Sequence, residues 1–290
     1  MDSIKKFLAY NGKIDITCIE STNLVETARK VHDLSPVATA ALGRTLTMAG
    51  IIASNLKSEN DTVTLQIKGN GPIGSITATC DSFQRVRGYV ANPQVDVPLR
   101  KDGKLNVGMA VGNEGFLYVI KDIGLKEPYI GMNKLVSGEI AEDFASYYYT
   151  SEQKAVAVAL GVLVNKDGVK RAGGFTVTAM PDATEDELFI LENRLKEAKP
   201  ISQMLDEGMT LLDIAKDITG DVNIQILESN EKMPKYECNC SKDKMENALI
   251  SIGKEELIDI LQKDKKAELV CHFCNKKYEF SEEELRKLCI

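Results

Sequence analysis

The chain has 290 residues, of which 43% are hydrophobic and 27% are charged, and its formal net charge is −7. These values are typical of a globular protein that is long enough for two domains. The N-terminus has no apolar run with a small-residue cleavage site, so we expect a cytoplasmic protein whose cysteines stay reduced. Arg44 interrupts the most apolar segment, Ser35–Leu56, which we interpret as a buried helix rather than a membrane span.

The pattern of residues 1–181 predicts an α+β core domain, in which helices pack against a mixed β-sheet. Short β-patterned segments recur between turn signals such as Asn11-Gly12. One helix is predicted over Asn23–Leu34. A second begins after Ser35, a suitable N-cap residue that is followed by a proline in the first turn.

One segment of this domain fits a dinucleotide-binding fingerprint. Gly69–Gly74 reads GNGPIG, which matches G-x-G-x-x-G. That fingerprint requires a helix to follow, with its N-terminus facing the phosphate. The next residues, SITATC, are β-forming instead, so we interpret the segment as a hairpin turn and expect no nucleotide.

Residues 182–232 have a different character and predict a helical, amphipathic linker. They carry thirteen acidic and five basic residues, whereas residues 1–181 and 233–290 are each close to neutral. Thr184 and Glu187 form a capping box that opens a helix, Pro200 ends it, and Val222–Ser229 is strand-like. We expect the apolar residues of the linker to cover the surface of the core domain while docked: Leu188, Leu191, Leu195, Leu205, Leu211, Leu212 and Ile214.

Like charge opposes compaction, so this acidic linker would repel itself once it left its docking surface. Its apolar side chains, or the surface beneath them, could then take up other apolar chains. An ordinary amphipathic helical subdomain explains the same pattern, and the two interpretations stay open at this point.

Residues 233–290 predict a small C-terminal domain. Short helices are predicted after Ser241 and over Lys254–Lys263, and a capping box at Ser281 opens the closing helix. Between them, a β-hairpin is predicted with Cys271 and Cys274 at its turn.

Four of the seven cysteines stand in this domain as two tight pairs, Cys238-x-Cys240 and Cys271-x-x-Cys274. Four thiolates can complete a tetrahedral zinc site, and a C-x-x-C at a hairpin turn is typical of zinc-binding knuckles. The single residue between Cys238 and Cys240 is less usual for a purely structural site. A structural zinc ribbon, a redox-active site and unrelated buried thiols therefore all stay open.

The chemistry of thiolates makes a redox switch a serious alternative. Zinc holds thiols as thiolates, which are the form that oxidants attack. A domain this small depends on its metal for folding, so loss of zinc would unfold it. A disulfide between Cys238 and Cys240 would close a small, strained ring and be easily reduced again.

The remaining candidate residues carry weaker signals. We interpret His272 as a turn residue rather than a fifth ligand, because four cysteines are available. Cys289 could act as a resolving thiol, but a bystander role is the simpler interpretation. No role is assigned to Cys18 or Cys80, His32 has no obvious catalytic partner, and no nucleophile–base pair is recognisable, so we expect no enzymatic activity.

Several segments are distinctive when taken together: SPVATAALGRTLT, KGNGPIGSITATCD, RVRGYVANP, SGEIAEDFASYYYTSEQ, AGGFTVTAMPDA and the terminal C-x-C…C-x-x-C. With these segments, the chain resembles the redox-regulated heat-shock protein 33 family, also called the 33 kDa chaperonin, over essentially the full length. The cysteine motif is the most specific of them, and all four of its positions are filled.

The resemblance implies an ATP-independent holdase that is inactive while reduced. In that state, one zinc ion would be held by Cys238, Cys240, Cys271 and Cys274. Oxidation by peroxide or hypochlorous acid would release the zinc and form the disulfides Cys238–Cys240 and Cys271–Cys274. The zinc domain and linker would then unfold, and the protein, as a homodimer, would bind unfolding client proteins, without membrane or nucleic-acid partners.

Two other functions compete with this one. A zinc-ribbon nucleic-acid binder usually shows a basic face, but residues 233–290 carry eleven basic and twelve acidic residues. A thiol–disulfide oxidoreductase places its C-x-x-C at a helix N-terminus, whereas a hairpin is predicted here.

Overall fold

The computed structural model describes residues 1–227 and 233–289, and it contains two compact units, Met1–Tyr236 and Glu237–Ile290. The helices are α1 (Thr22–His32), α2 (Pro36–Ala53), α3 (Val107–Val111), α4 (Ala141–Ser151), α5 (Glu185–Glu197), α6 (Ile201–Asp206), α7 (Leu211–Thr219), α8 (Lys242–Ser251), α9 (Lys254–Lys263) and α10 (Glu282–Leu288). The strands are β1 (Ser3–Ala9), β2 (Ile14–Glu20), β3 (Thr62–Lys68), β4 (Ser75–Asp81), β5 (Arg85–Val90), β6 (Phe116–Asp122), β7 (Tyr129–Lys134), β8 (Val156–Asn165), β9 (Gly168–Ala179), β10 (Gln225–Leu227), β11 (Lys235–Tyr236), β12 (Ala267–Val270) and β13 (Lys277–Phe280).

The first unit is built on two sheets, which confirms the predicted α+β class. A five-stranded sheet has the order β10-β1-β2-β9-β8, and all its neighbours are antiparallel. A six-stranded sheet has the order β11-β5-β4-β3-β6-β7 and is antiparallel except for β11, which pairs in parallel with β5.

Helix α2 is the centre of this unit and contacts strands of both sheets. The Ser35 hydroxyl accepts a hydrogen bond from the backbone N–H of Ala38, so the predicted N-cap is confirmed. Small residues allow the close approach, since a Cβ at Gly43 would stand 2.6 Å from a methyl group of Val25. The helix is long and apolar enough to cross a membrane, but 89% of it is buried in the protein, so it is a core helix.

The segment GNGPIG forms the hairpin turn between β3 and β4, as predicted. Its glycines are required by a close backbone contact with α3. A Cβ at Gly69 would lie 2.0 Å from the carbonyl oxygen of Val111. The N–H of Gly71 donates to that same carbonyl at 2.9 Å. The glycines therefore serve backbone packing.

Helices α5, α6 and α7 pack against the face of the five-stranded sheet that points away from α2, and β10 adds an edge strand to that sheet. Alternation along β2 sends Ile16 towards this face and Ile19 towards the α2 side. The predicted capping box of Thr184 and Glu187 is present at the start of α5. All seven linker residues predicted to cover the core domain pack into the apolar core on this face of the sheet. Leu191, Leu205, Leu211 and Ile214 are buried there, and Leu188, Leu195 and Leu212 are partly buried.

The predicted domain boundaries at residues 181 and 232 stay predictions. The structure places the described part of the linker in the first unit and begins the second unit at Glu237. Residues 228–232, with the end of the strand predicted over Val222–Ser229, lie outside the described residues.

The second unit consists of α8, α9, α10 and the hairpin β12–β13. The predicted caps of Ser241 and Ser281 and the predicted hairpin are all present. Its core is small, and one of its buried members is a cysteine: Leu249, Leu257, Cys271, Tyr278, Phe280 and Leu285.

Candidate metal centre

The two cysteine pairs are carried by two different turns of the second unit. Cys238 and Cys240 lie in the segment before α8, and Cys271 and Cys274 lie in the turn between β12 and β13. The hairpin turn is closed by backbone hydrogen bonds, among them Asn275 N–H to the carbonyl of Cys271 at 2.8 Å. Asn275 has φ of 58°, a left-handed conformation that asparagine tolerates better than most residues.

The first turn is held by the helix that follows it. Ser241 caps α8 by accepting a hydrogen bond from the N–H of Lys244 at 3.3 Å. The ammonium of Lys244 reaches back to the carbonyl of Asn239, the residue between the two cysteines, at 2.8 Å. The C-x-C segment is therefore fixed by the first turn of α8.

The structure brings all four predicted cysteines together, with their sulfurs within 4.8 Å of one another. The Sγ atoms of Cys238 and Cys271 are 3.7 Å apart, and those of Cys240 and Cys274 are 3.4 Å apart. Four sulfurs at about 2.3 Å from one tetrahedral ion stand about 3.8 Å apart, so these separations fit a single metal ion. An all-sulfur donor set favours soft, thiolate-preferring metals.

The surroundings of the sulfurs affect their acidity in different ways. Burial raises the pKa of Cys238, and it raises that of Cys274 as well. Burial also opposes the thiolate of Cys240, but hydrogen bonds from the Tyr278 hydroxyl and from the neighbouring cysteines outweigh it and lower the pKa to about 7. The surroundings of Cys240 therefore favour its thiolate, which is the form that binds metal.

The other predicted candidates lie outside this cluster. Among the described residues, the metal-binding group contains four cysteines and not His272, which is exposed in the hairpin turn. Cys289 follows α10 and packs against the core of the second unit without joining the group. Cys18 and Cys80 are fully buried in the first unit.

Two tyrosines near the cysteines have structural roles that the local sequence pattern did not predict. The hydroxyl of Tyr278 donates a hydrogen bond to the Sγ of Cys240 at 3.1 Å. Strand alternation beyond the C-x-x-C turn would have placed Tyr278 on the buried face of the hairpin, but not against a particular sulfur.

The other tyrosine, Tyr236, is the last residue of the first unit. Its hydroxyl donates to the carbonyl of Gly88 at 2.8 Å and lies 2.8 Å from Nε2 of His32. His32 is therefore a structural partner of Tyr236, which it helps to fix two residues before Cys238.

Comparison with known proteins agrees with this arrangement. Residues 2–281 match the family model described as Hsp33 protein. The 33 kDa chaperonin of Clostridium beijerinckii is 48% identical over 288 residues, covering 99% of this chain and 98% of the relative. That of Clostridioides difficile is also 48% identical, with the same coverage. The crystal structure of the Thermotoga maritima 33 kDa chaperonin matches with a TM-score of 0.89 at 40% identity, over 99% of this chain and 97% of that one.

The cluster predicts that Cys271 and Cys289 respond differently to substitution. Cys271→Ser removes a sulfur that is 5% exposed, and we expect metal affinity to fall by several orders of magnitude because the fold of a small metal domain depends on its ligands. Titration with Co²⁺ and Zn²⁺, together with limited proteolysis of residues 237–290, measures both effects. Cys289→Ser is the matched control and should keep one metal ion per chain. Equal metal loss in both variants would contradict the four-sulfur site.

Proposed function

The chain belongs to the Hsp33 family, and we propose that it is a redox-regulated, ATP-independent chaperone that holds unfolding proteins after its cysteines have been oxidised. The observation that carries this proposal is the group of four sulfurs within 4.8 Å of one another, in a unit whose small core includes one of them. Its action is binding and not catalysis, and we place it in the cytoplasm, where the reduced state is the resting state.

In the reduced state, we propose that Cys238, Cys240, Cys271 and Cys274 hold one zinc ion. When bound, zinc supplies the positive charge that keeps all four sulfurs as thiolates. The sulfurs come from two turns that are distant in sequence, so their binding to one ion would join these turns and stabilise the fold of the second unit. Among the described residues of this unit, the buried core contains five residues besides Cys271, which is a small core for a domain of this size.

Oxidation by a peroxide changes the bonding of these sulfurs. A thiolate attacks one peroxide oxygen, an S–O bond forms, the O–O bond breaks and hydroxide leaves, which gives a sulfenic acid. A second cysteine thiolate then attacks that sulfur and displaces hydroxide, so an S–S bond forms. The two sulfurs lose two electrons, the peroxide gains them, and two hydroxides take up protons as water. Sulfurs joined in this way no longer serve as ligands.

We propose the pairs Cys238–Cys240 and Cys271–Cys274, as the family resemblance implies. The sulfur contacts of 3.4 and 3.7 Å run between the two turns, so they do not by themselves select these pairs. Even these two contacts would have to shorten by more than an ångström to reach the bond length of about 2 Å. Pairing within each turn follows when the two turns separate as the unit opens, because neighbours in sequence stay close.

The linker covers the surface that such a switch would expose. Helices α6 and α7 pack on β9 and β2, over buried residues that include Phe7, Ile16 and Phe175. Each buried aliphatic or aromatic side chain contributes roughly 1.5–3 kcal/mol. An exposed ion pair such as Lys170–Asp206, at 2.7 Å, contributes less than about 1 kcal/mol. Apolar burial therefore holds the linker in place, and its loss would expose a continuous apolar face.

That face suits unfolding client proteins, because its contacts are apolar and not specific to a sequence. The linker has eight excess negative charges, so once undocked it resists collapse and leaves the face open. We further propose, from the family resemblance, that the oxidised form is a homodimer.

A paired measurement on one sample tests this function. Zinc release is followed with a chromogenic chelator during mild peroxide treatment with warming, and aliquots are tested by light scattering for suppression of client aggregation. We expect anti-aggregation activity to rise in step with zinc release and both to reverse with reductant and zinc. The proposal fails if the reduced protein is already fully active, or if zinc leaves with no gain in activity.

Weaker packing of the linker should give a variant that is activated by less peroxide. Ile214 of α7 is 0% exposed, so Ile214→Ala should weaken linker docking by about 2–5 kcal/mol. We expect half-maximal anti-aggregation activity at a lower peroxide dose, with partial activity before oxidation. Val222→Ala is the control, because Val222 is 74% exposed. If the first variant keeps a folded core by circular dichroism yet activates like the second, the linker does not gate client binding.

A further inference from the structure

The hydroxyl of Tyr278 lies directly against a member of the sulfur cluster. It donates to the Sγ of Cys240 at 3.1 Å, and the tyrosine side chain is only 7% exposed. Cys238 and Cys274 accept hydrogen bonds from the backbone N–H groups of Cys240 and Lys276 instead. A side-chain change can remove the hydroxyl contact of Cys240, whereas the two backbone contacts follow from the turns themselves.

The β12–β13 hairpin fixes the direction in which the Tyr278 hydroxyl points. Tyr278 pairs with Leu269 across the two strands, and Phe280, two residues on, is buried on the same side. The ammonium of Lys276 stands 5.1 Å from the centre of the tyrosine ring. Packing within the hairpin therefore holds the ring in place. Its hydroxyl group is directed at the Cys240 sulfur.

We propose that Tyr278 is a positioning residue that sets how readily the Cys240 sulfur is oxidised. This inference rests on the proposed function, since it concerns the first step of the same switch. A hydrogen bond donated to a thiolate stabilises its negative charge and draws electron density from the sulfur. A thiolate stabilised in this way is a weaker nucleophile, so the peroxide threshold of the cluster rises.

The step that Tyr278 slows is the attack of the Cys240 thiolate on peroxide. In that attack, sulfur donates an electron pair to one oxygen, the S–O bond forms, the O–O bond breaks and hydroxide leaves. As the sulfur loses its charge, the hydrogen bond from Tyr278 weakens, so the starting thiolate is stabilised more than the transition state. Disulfide formation by a second cysteine follows as described above.

The size of the effect follows from general magnitudes. Hydrogen bonds to charged groups change equilibria by on the order of tenfold to a hundredfold. Thiolate nucleophilicity follows basicity with a slope of about 0.4–0.5. We therefore expect removal of the hydroxyl to speed oxidation by about three- to tenfold.

The test compares Tyr278→Phe with the unmodified protein and with Tyr129→Phe, which removes the hydroxyl of a half-exposed tyrosine in the first unit. Metal release is timed with peroxide and, separately, with a chelator and no oxidant. The sulfur-to-cobalt charge-transfer band of the Co²⁺-loaded proteins is recorded. For Tyr278→Phe we expect three- to tenfold faster peroxide-driven release, unchanged chelator-driven release and a charge-transfer band at lower energy. Tyr129→Phe should match the unmodified protein in all three measurements.

Two outcomes would overturn the inference. The first is a peroxide rate and charge-transfer energy that do not change. The second is acceleration of both peroxide- and chelator-driven release with an unchanged band, which indicates a packing role alone. If Tyr278→Phe fails to fold, 3-fluorotyrosine introduced at position 278 supplies a stronger donor and must slow peroxide-driven release, and an unchanged rate overturns the inference. No client protein is present in these assays, so their outcome is independent of whether the oxidised protein holds clients.

Discussion

The convergence of four sulfurs from two turns is the constraint on which the second unit depends. Among the described residues of this unit, five side chains besides Cys271 are buried in its core, so apolar burial contributes less to its stability than in the first unit. The same sulfurs are the most oxidisable atoms of the unit. Under the proposed function, stability and sensitivity to oxidants reside in one set of atoms, so a chemical change at the sulfurs would change the folding of the unit.

In the first unit, the linker covers one face of the five-stranded sheet, and apolar burial rather than sulfur chemistry holds it there. Burial of apolar side chains fastens the linker to the five-stranded sheet, while its excess negative charge favours release. The ion pair Lys13–Glu187, at 2.9 Å, and the hydrogen bond from Tyr10 to the carbonyl of Thr219, at 2.6 Å, add polar anchors along the edge. Because the linker is held chiefly by apolar contacts, its release would leave an apolar face on the five-stranded sheet. The proposed holdase function requires such a face.

Much of this arrangement could be predicted because its signals are local. Capping boxes at Thr184 and Ser281, the N-cap at Ser35 and the hairpin around Cys271 are each encoded within a few residues. The grouping of the cysteines was predictable from their spacing, because tetrahedral thiolate sites recur with such pairs.

What could not be predicted depends on contacts between distant segments. The pairing of β11 with β5 joins Tyr236 to a strand about 150 residues earlier in the chain, and no local pattern encodes it. The same holds for the short helix α3, whose place is set by the glycines of the β3–β4 turn. The contact of Tyr278 with Cys240 requires the hairpin and the C-x-C turn to meet, so it becomes visible only in the folded unit.

Hydrogen–deuterium exchange of the zinc-loaded protein, before and after peroxide treatment, tests the central claim most directly. The account predicts that amides of α5, α6 and α7 lose protection as the four cysteines become oxidised, while those of α2 and of β3 and β4 keep it. Oxidation of all four cysteines with α5–α7 still fully protected would contradict it, because the sulfur cluster would then not control the cover of the apolar face.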